Sequence, residues 1–206
     1  MSLRALLAEV HPAWHGVDDD ALDPALLRRA CDSVLGRRLL ASALAAGPAP
    51  DLLAPSPEGP AALVARWSRT RLEALHRDLG VLAFAPAIRA EIGREPVRRL
   101  KAALGSSYLL ALDRSVWDAK VEPDLQAHLA ETLRTALAPD DPASTLLRTF
   151  ARQGRAELQA WAGRRDPALA QWARLLEAPE ALPAAHLPEK PVLVVHTHHQ
   201  NRAVAG

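Results

Sequence analysis

Apolar residues recur at spacings of three and four along most of the chain, which is the period of a helix with one buried face. From Pro24 to Ala46 the stripe runs Leu27, Ala30, Cys31, Val34 and Leu35, with Arg37 and Arg38 on the wet side. From Ala61 to Leu79 it is carried by Leu63, Val64, Trp67, Leu72, Leu75 and Leu79, with Thr70 in register. Leu125, Leu129, Leu133 and Leu137 stand four apart between Pro123 and Ala138, and Leu147, Phe150, Ala151, Gly154, Leu158 and Trp161 continue the pattern between Pro142 and Ala162. Leu169, Trp172, Ala173 and Leu176 mark one more helix. Each stripe predicts a core face.

The punctuation between stripes agrees with them. An acidic residue precedes proline at Asp23-Pro24, Glu95-Pro96, Glu122-Pro123, Asp141-Pro142 and Asp166-Pro167. A carboxylate at the N-cap accepts from a free backbone N–H, and proline at the next position lacks only a donor that the helix leaves unused. Each pair therefore predicts a helix start. Gly47, Gly80, Gly93 and Gly105 follow helical runs and predict stops. Two stretches depart from the pattern. Residues 47–60 hold five prolines and read as a long surface loop, since each proline removes a donor and restricts its predecessor. Residues 179–206 form a proline-rich tail in which Val192-Leu193-Val194-Val195 suggests a short strand over 192–196.

Composition sharpens this to an all-α expectation: a single compact multi-helix domain over residues 1–178, followed by the tail 179–206. Alanine (42) and leucine (35) far outnumber valine, isoleucine and threonine together (20), and the first two lose little freedom in a helix. Charge is nearly balanced, with 25 basic against 24 acidic side chains. That argues against nucleic acid as a partner, because phosphate binding needs a basic excess. The lone Cys31 excludes an internal disulfide scaffold, and the early basic and acidic residues, including the run Asp18 to Asp20, do not read as a secretory leader. The expected location is the cytoplasm.

Candidate chemistry is sparse. His196, His198 and His199 are potential metal ligands, but the other histidines show no zinc-like spacing with them or with Cys31, so a polar tail is the simpler reading. Cys31 lies on a predicted buried face, where a thiol is inert. Gly105-Ser106-Ser107 lacks the Gly-Lys-Ser/Thr pattern and reads as a helix stop followed by a serine cap. No catalytic residue and no cofactor is expected. Trp14 and Trp117, near predicted helix ends, are candidate interface anchors. Arg94, Arg98 and Lys101 share a helical face, with Arg89 and Arg99 nearby, and these five form a candidate partner-binding strip.

The string from Asp78 to Gly105 adds a resemblance. Its Leu79-Gly80, Ala85-Pro86-Ala87-Ile88-Arg89 and Val97-x-x-Leu100-x-x-x-Leu104-Gly105 pattern, continued by Tyr108-Leu-Leu-Ala-Leu to Trp117, resembles component K of bacterial type III secretion systems, the SctK (YscK/PscK-like) family. The chain length fits that family as well, and the flanking helices match in general character only. The resemblance implies a non-enzymatic cytosolic adaptor of the sorting platform. It would join the cytoplasmic forkhead-associated-like domain of the inner-membrane ring component D to the pod component Q, and through these the stator component L and the export ATPase. Membrane association would come only through those partners. Two rival expectations are a metal-binding helical enzyme using the terminal histidines and a helical nucleic-acid regulator using residues 23–46.

Overall fold

The computed structural model describes residues 3–16, 23–55 and 59–202, so the acidic run 18–20 and Pro57 lie outside the described residues. Among those described, every regular element is helical: α1 (Leu3–Glu9), a 3-10 turn (Pro12–His15), α2 (Pro24–Asp32), α3 (Val34–Ala46), α4 (Gly59–Arg66), α5 (Arg69–Ala83), α6 (Ala85–Ala90), α7 (Arg94–Leu104), α8 (Ser107–Leu112), α9 (Pro123–Leu137), α10 (Ala143–Arg165), α11 (Pro167–Leu175) and α12 (Glu189–Asn201). None of them is long and apolar enough to cross a membrane.

Four acid-proline pairs mark helix starts as expected. Asp23 Oδ1 accepts from Ala25 N, Asp166 Oδ1 accepts from Leu169 N, and Glu122 stands at the N-cap of α9 without a side-chain bond. Asp141 accepts from Ala143 N at the start of α10. The Glu95-Pro96 pair differs. Helix α7 begins at Arg94 with Gly93 as its cap, Glu91 Oε1 accepts from Gly93 N, and Glu95 is left to bind arginines. Gly47 and Gly105 end helices, the latter with φ of 53°. Gly80 does not, for it lies inside α5.

The chain forms two compact units, residues 1–72 with 159–181 and residues 73–158 with 182–206. In the first, the predicted helix over 24–46 is broken at Ser33, whose extended backbone caps α3 through a bond from Gly36 N to its Oγ. The break changes which residues are buried. Cys31 stays in the core, whereas Val34 and Leu35, expected inside, are exposed. A similar break at Trp67 and Ser68 separates α4 from α5. The proline-rich loop is held in its described part: Ala49 and Leu52 are buried, Ala49 N donates to Leu44 O, and Leu52 N donates to Gln171 Oε1 at 2.8 Å. Two indoles close this interior, Trp172 Nε1 donating to Trp67 O and Trp14 Nε1 to Glu177 O, each at 2.7 Å. Trp14 is thus tied to its own unit.

In the second unit α5 and α10 cross at two glycines. A Cβ on Gly80 would collide with the backbone of Phe150, and one on Gly154 with the carbonyl of His76. The backbones can approach this closely only without side chains at the crossing. Phe84 and Phe150 meet edge to face at 5.3 Å beside it, and α6 buries Ala85, Pro86, Ala87 and Ile88. The expected strand at 192–196 is a helix: in α12, Val192, Val195, His196 and His199 are buried at helical spacing. Burial on that spacing outweighs the strand preference of three valines. The buried histidines also correct the solvated-tail reading. Trp117, expected as an interface anchor, is 6% exposed and packs against His186.

Candidate partner-binding surface

The five residues of the predicted strip have three different fates, and their chemistry explains each. Arg89 projects from α6 into a bend of irregular chain at 113–122. Its guanidinium donates to the carbonyls of Ala111 (2.6 Å), Trp117 (2.8 Å), Asp118 (2.8 Å) and Asp113 (3.3 Å). A planar fork with five donors suits a loop whose carbonyls have no ladder to join. Burial lowers the Arg89 pKa, with a further push from the charge on Arg114. Arg89 therefore belongs to the scaffold and leaves the strip.

Arg99 is half-engaged. It donates to Leu137 O and Pro139 O at 3.1 and 3.0 Å, and pairs with Glu95 at 3.1 Å. Arg94, Arg98 and Lys101 remain, all exposed on one face of α7. Arg98 pairs with Glu95 at 2.8 Å, and hydrogen bonds from Arg98 and Arg99 hold the Glu95 carboxyl below its ordinary range. Lys101 lies over the Tyr108 ring at 5.6 Å. Next to the start of α7, Ile92 is 94% exposed. An exposed apolar residue beside a short row of cations is a surface suited to an apolar and acidic counterpart.

The terminal histidines enter a different arrangement, absent from the sequence reading. His199 Nε2 lies 2.8 Å from Asp78 Oδ2, and Ser107 Oγ donates to Asp78 Oδ1 at 2.6 Å. The residues come from α12, α5 and α8, so no local spacing announces them. Burial works to raise the Asp78 carboxyl, yet the bonds from His199 and Ser107 and the charges of His199 and Arg77 leave it lowered overall. Three side chains of these types suggest a nucleophile relay, but the order is wrong for one. The serine proton faces the carboxylate, with no imidazole between them to take it. The cluster is a clasp of three helices. A cleft of about 410 Å³ opens beside it, lined by Ser106, Leu110, Val116, Val194, Val195 and His198 among others.

A second buried carboxylate, Glu157 of α10, has a similar structural task. It accepts from His186 N, Leu187 N and Gln153 Nε2 at 3.0, 3.0 and 2.8 Å, which fixes the extended segment before α12. In the first unit a cleft of about 690 Å³ reaches Cys31, Arg4, Asp32 and Arg69. Three of its charged side chains are engaged within the unit: Arg4 pairs with Asp32 at 2.7 Å, and Arg69 donates to Glu9 O and Leu176 O. Burial, helped by the Asp32 charge, raises the Cys31 thiol, which keeps it protonated and weakly nucleophilic. Among the described residues no three His, Cys, Asp or Glu side chains are grouped to hold a metal ion.

Comparison with known proteins found no match among family models, curated proteins or solved structures.

Proposed function

We propose that the protein is a non-enzymatic adaptor of the component K type, linking the inner-membrane ring component D to the pod component Q of a type III secretion sorting platform. The reading rests on the resemblance of residues 78–105, and the observation that carries it is the outer face of α7. That segment is the end of α5, α6, the exposed Ile92 turn and α7, so the resembling residues include a firmly anchored scaffold and a bare basic face together. Arg89 and Arg99 brace the segment from within, while Arg94, Arg98 and Lys101 are left for a counterpart. A rigid surface loses little entropy on docking, which suits reversible assembly.

The test is co-purification with the cytoplasmic domain of component D and with component Q from the same genome, followed by mass determination. The expected result is a complex with at least one of them. Charge reversal at Arg94 and Arg98 should weaken that complex roughly tenfold or more while the thermal transition shifts little, because within the fold Arg98 holds only the exposed Glu95 and Arg94 makes no ion pair among the described residues. Absence of a complex with either component, from folded and monodisperse protein, removes the proposal.

A further inference from the structure

An exposed apolar surface lies on α3 of the first unit. Val34, Leu35 and Leu39 are 62%, 68% and 62% exposed. With Arg38, Ser42, Ala43 and Ala46, all exposed, they fall within one half-turn of the helix, while Leu40 and Leu44 bury the opposite side. Singly exposed leucines are ordinary; two leucines and a valine on adjacent turns of one face form a patch that seeks cover.

We propose that this face of α3 docks an acidic amphipathic helix of a partner protein. Shape supports a helix. Leu35, Leu39 and Ala43 form a ridge at intervals of four, flanked by the row Val34, Arg38 and Ser42, and the small residues at the C-terminal end permit close approach of a second helix. Charge supports acidity. Residues 23–46 carry four arginines (28, 29, 37 and 38) against Asp23 and Asp32, and α3 has no acidic residue. Asp32 is paired with Arg4 and Asp23 caps α2. Arg37 is held by the carbonyls of Cys31 and Asp32, whereas Arg38, in the middle of the exposed face, makes no ion pair among the described residues. A second copy of the chain would bring the same cations together, which disfavours self-association. A lipid surface fits less well, because the face has no aromatic anchor and four of its seven residues are alanine, serine or arginine.

The test uses the full chain and two fluorescein-labelled peptides of roughly 16 residues, long enough to match α3. Both have leucine at every third or fourth position; one carries glutamates beside the leucines and the other lysines. The expected result in fluorescence anisotropy is binding of the glutamate peptide in preference to the lysine peptide. Leu35→Glu with Leu39→Glu should weaken it about tenfold or more. Arg38→Glu, which leaves the apolar contacts in place, should reverse the preference between peptides. Failure of the glutamate peptide to bind, or equal binding of both, overturns the proposal. So does binding that the variants leave unchanged. Two further outcomes also overturn it: a dimer in sedimentation that the double variant dissolves, or flotation with phosphatidylserine and phosphatidylcholine vesicles that the double variant abolishes.

Discussion

The two units satisfy their interiors with different chemistry. Unit 1 uses neutral and cationic side chains: the indoles of Trp14 and Trp172 and the guanidinium of Arg69 donate to backbone carbonyls, and the Gln171 amide oxygen accepts from Leu52 N. Unit 2 buries two carboxylates, Asp78 and Glu157, whose side chains are 15% and 1% exposed. Unit 2 carries irregular segments before α9 and before α12 whose backbone groups have no helix of their own to join, and its buried side chains serve them. A buried carboxylate accepts several N–H bonds at once, and a buried guanidinium serves several carbonyls. The consequence is that unit 2 depends more on protonation state and on single side chains.

The largest expected effect lies at the crossing in unit 2. Gly154→Ala places a methyl group against the His76 backbone, where no side-chain rotation relieves it, and should cost about 3 kcal/mol or more in urea unfolding. Next comes a direct comparison of the two interiors. Glu157→Ala leaves the N–H groups of His186 and Leu187 without their acceptor and should cost about 3 kcal/mol, whereas Trp172→Phe frees one carbonyl and should cost about 1–2 kcal/mol. Equal losses would mean that the contrast between carboxylate and indole is without energetic weight.

Acid should sharpen the contrast further. His76 is wholly buried near Arg155, and burial, helped by that charge, lowers its pKa from 6.5 to about 3. Between those values the unfolded chain binds a proton that the folded chain refuses. Stability is therefore full above pH 6.5 and falls as pH drops, by up to about 1.4 kcal/mol per pH unit. His76→Leu should flatten that slope. His15 in unit 1 is lowered by burial in the same sense, and its replacement should flatten the slope less, because His76 is the more deeply enclosed. Asp78 acts in a lower window: its carboxyl is lowered from 3.8, so its contribution is complete above that value and is lost only as pH falls further. Asp78→Asn should remove this last step. A pH titration of urea midpoints for these variants separates the windows.

Periodicity made the helices legible, and it failed where a cap or a distant contact decided the outcome. The acid-proline pairs located four helix starts because N-cap chemistry is local. Ser33 is also a local signal, but it sits inside a run whose apolar spacing continues on both sides, so the break and the exposure of Val34 and Leu35 were hidden. The Val192–Val195 run has the composition of a strand, and only its burial partners make it helical. The partners of Asp78 lie 29 and 121 residues away, and the backbone N–H groups that Glu157 holds lie 29 and 30 residues away, beyond the reach of any spacing rule. The basic strip was legible as a helical face for Arg94, Arg98 and Lys101. Arg89, across a turn from them, was not, since its role depends on where residues 111–118 return.

The smallest expected effect tests that division of the strip. Arg94 is exposed and makes no ion pair among the described residues, while Arg98 holds only the surface carboxylate Glu95, so charge reversal at either should change stability by less than about 0.5 kcal/mol. Arg99→Glu should cost more, about 1–2 kcal/mol, because it removes the donors to Leu137 and Pro139 and sets a second carboxylate beside Glu95. Thermal melts of the three variants check the order. If Arg94→Glu or Arg98→Glu destabilises as much as Arg99→Glu, the outer face of α7 is part of the scaffold too, and a loss of partner binding in those variants would say nothing about contact. If the order holds, the same substitutions become clean probes of a surface that the fold itself does not use.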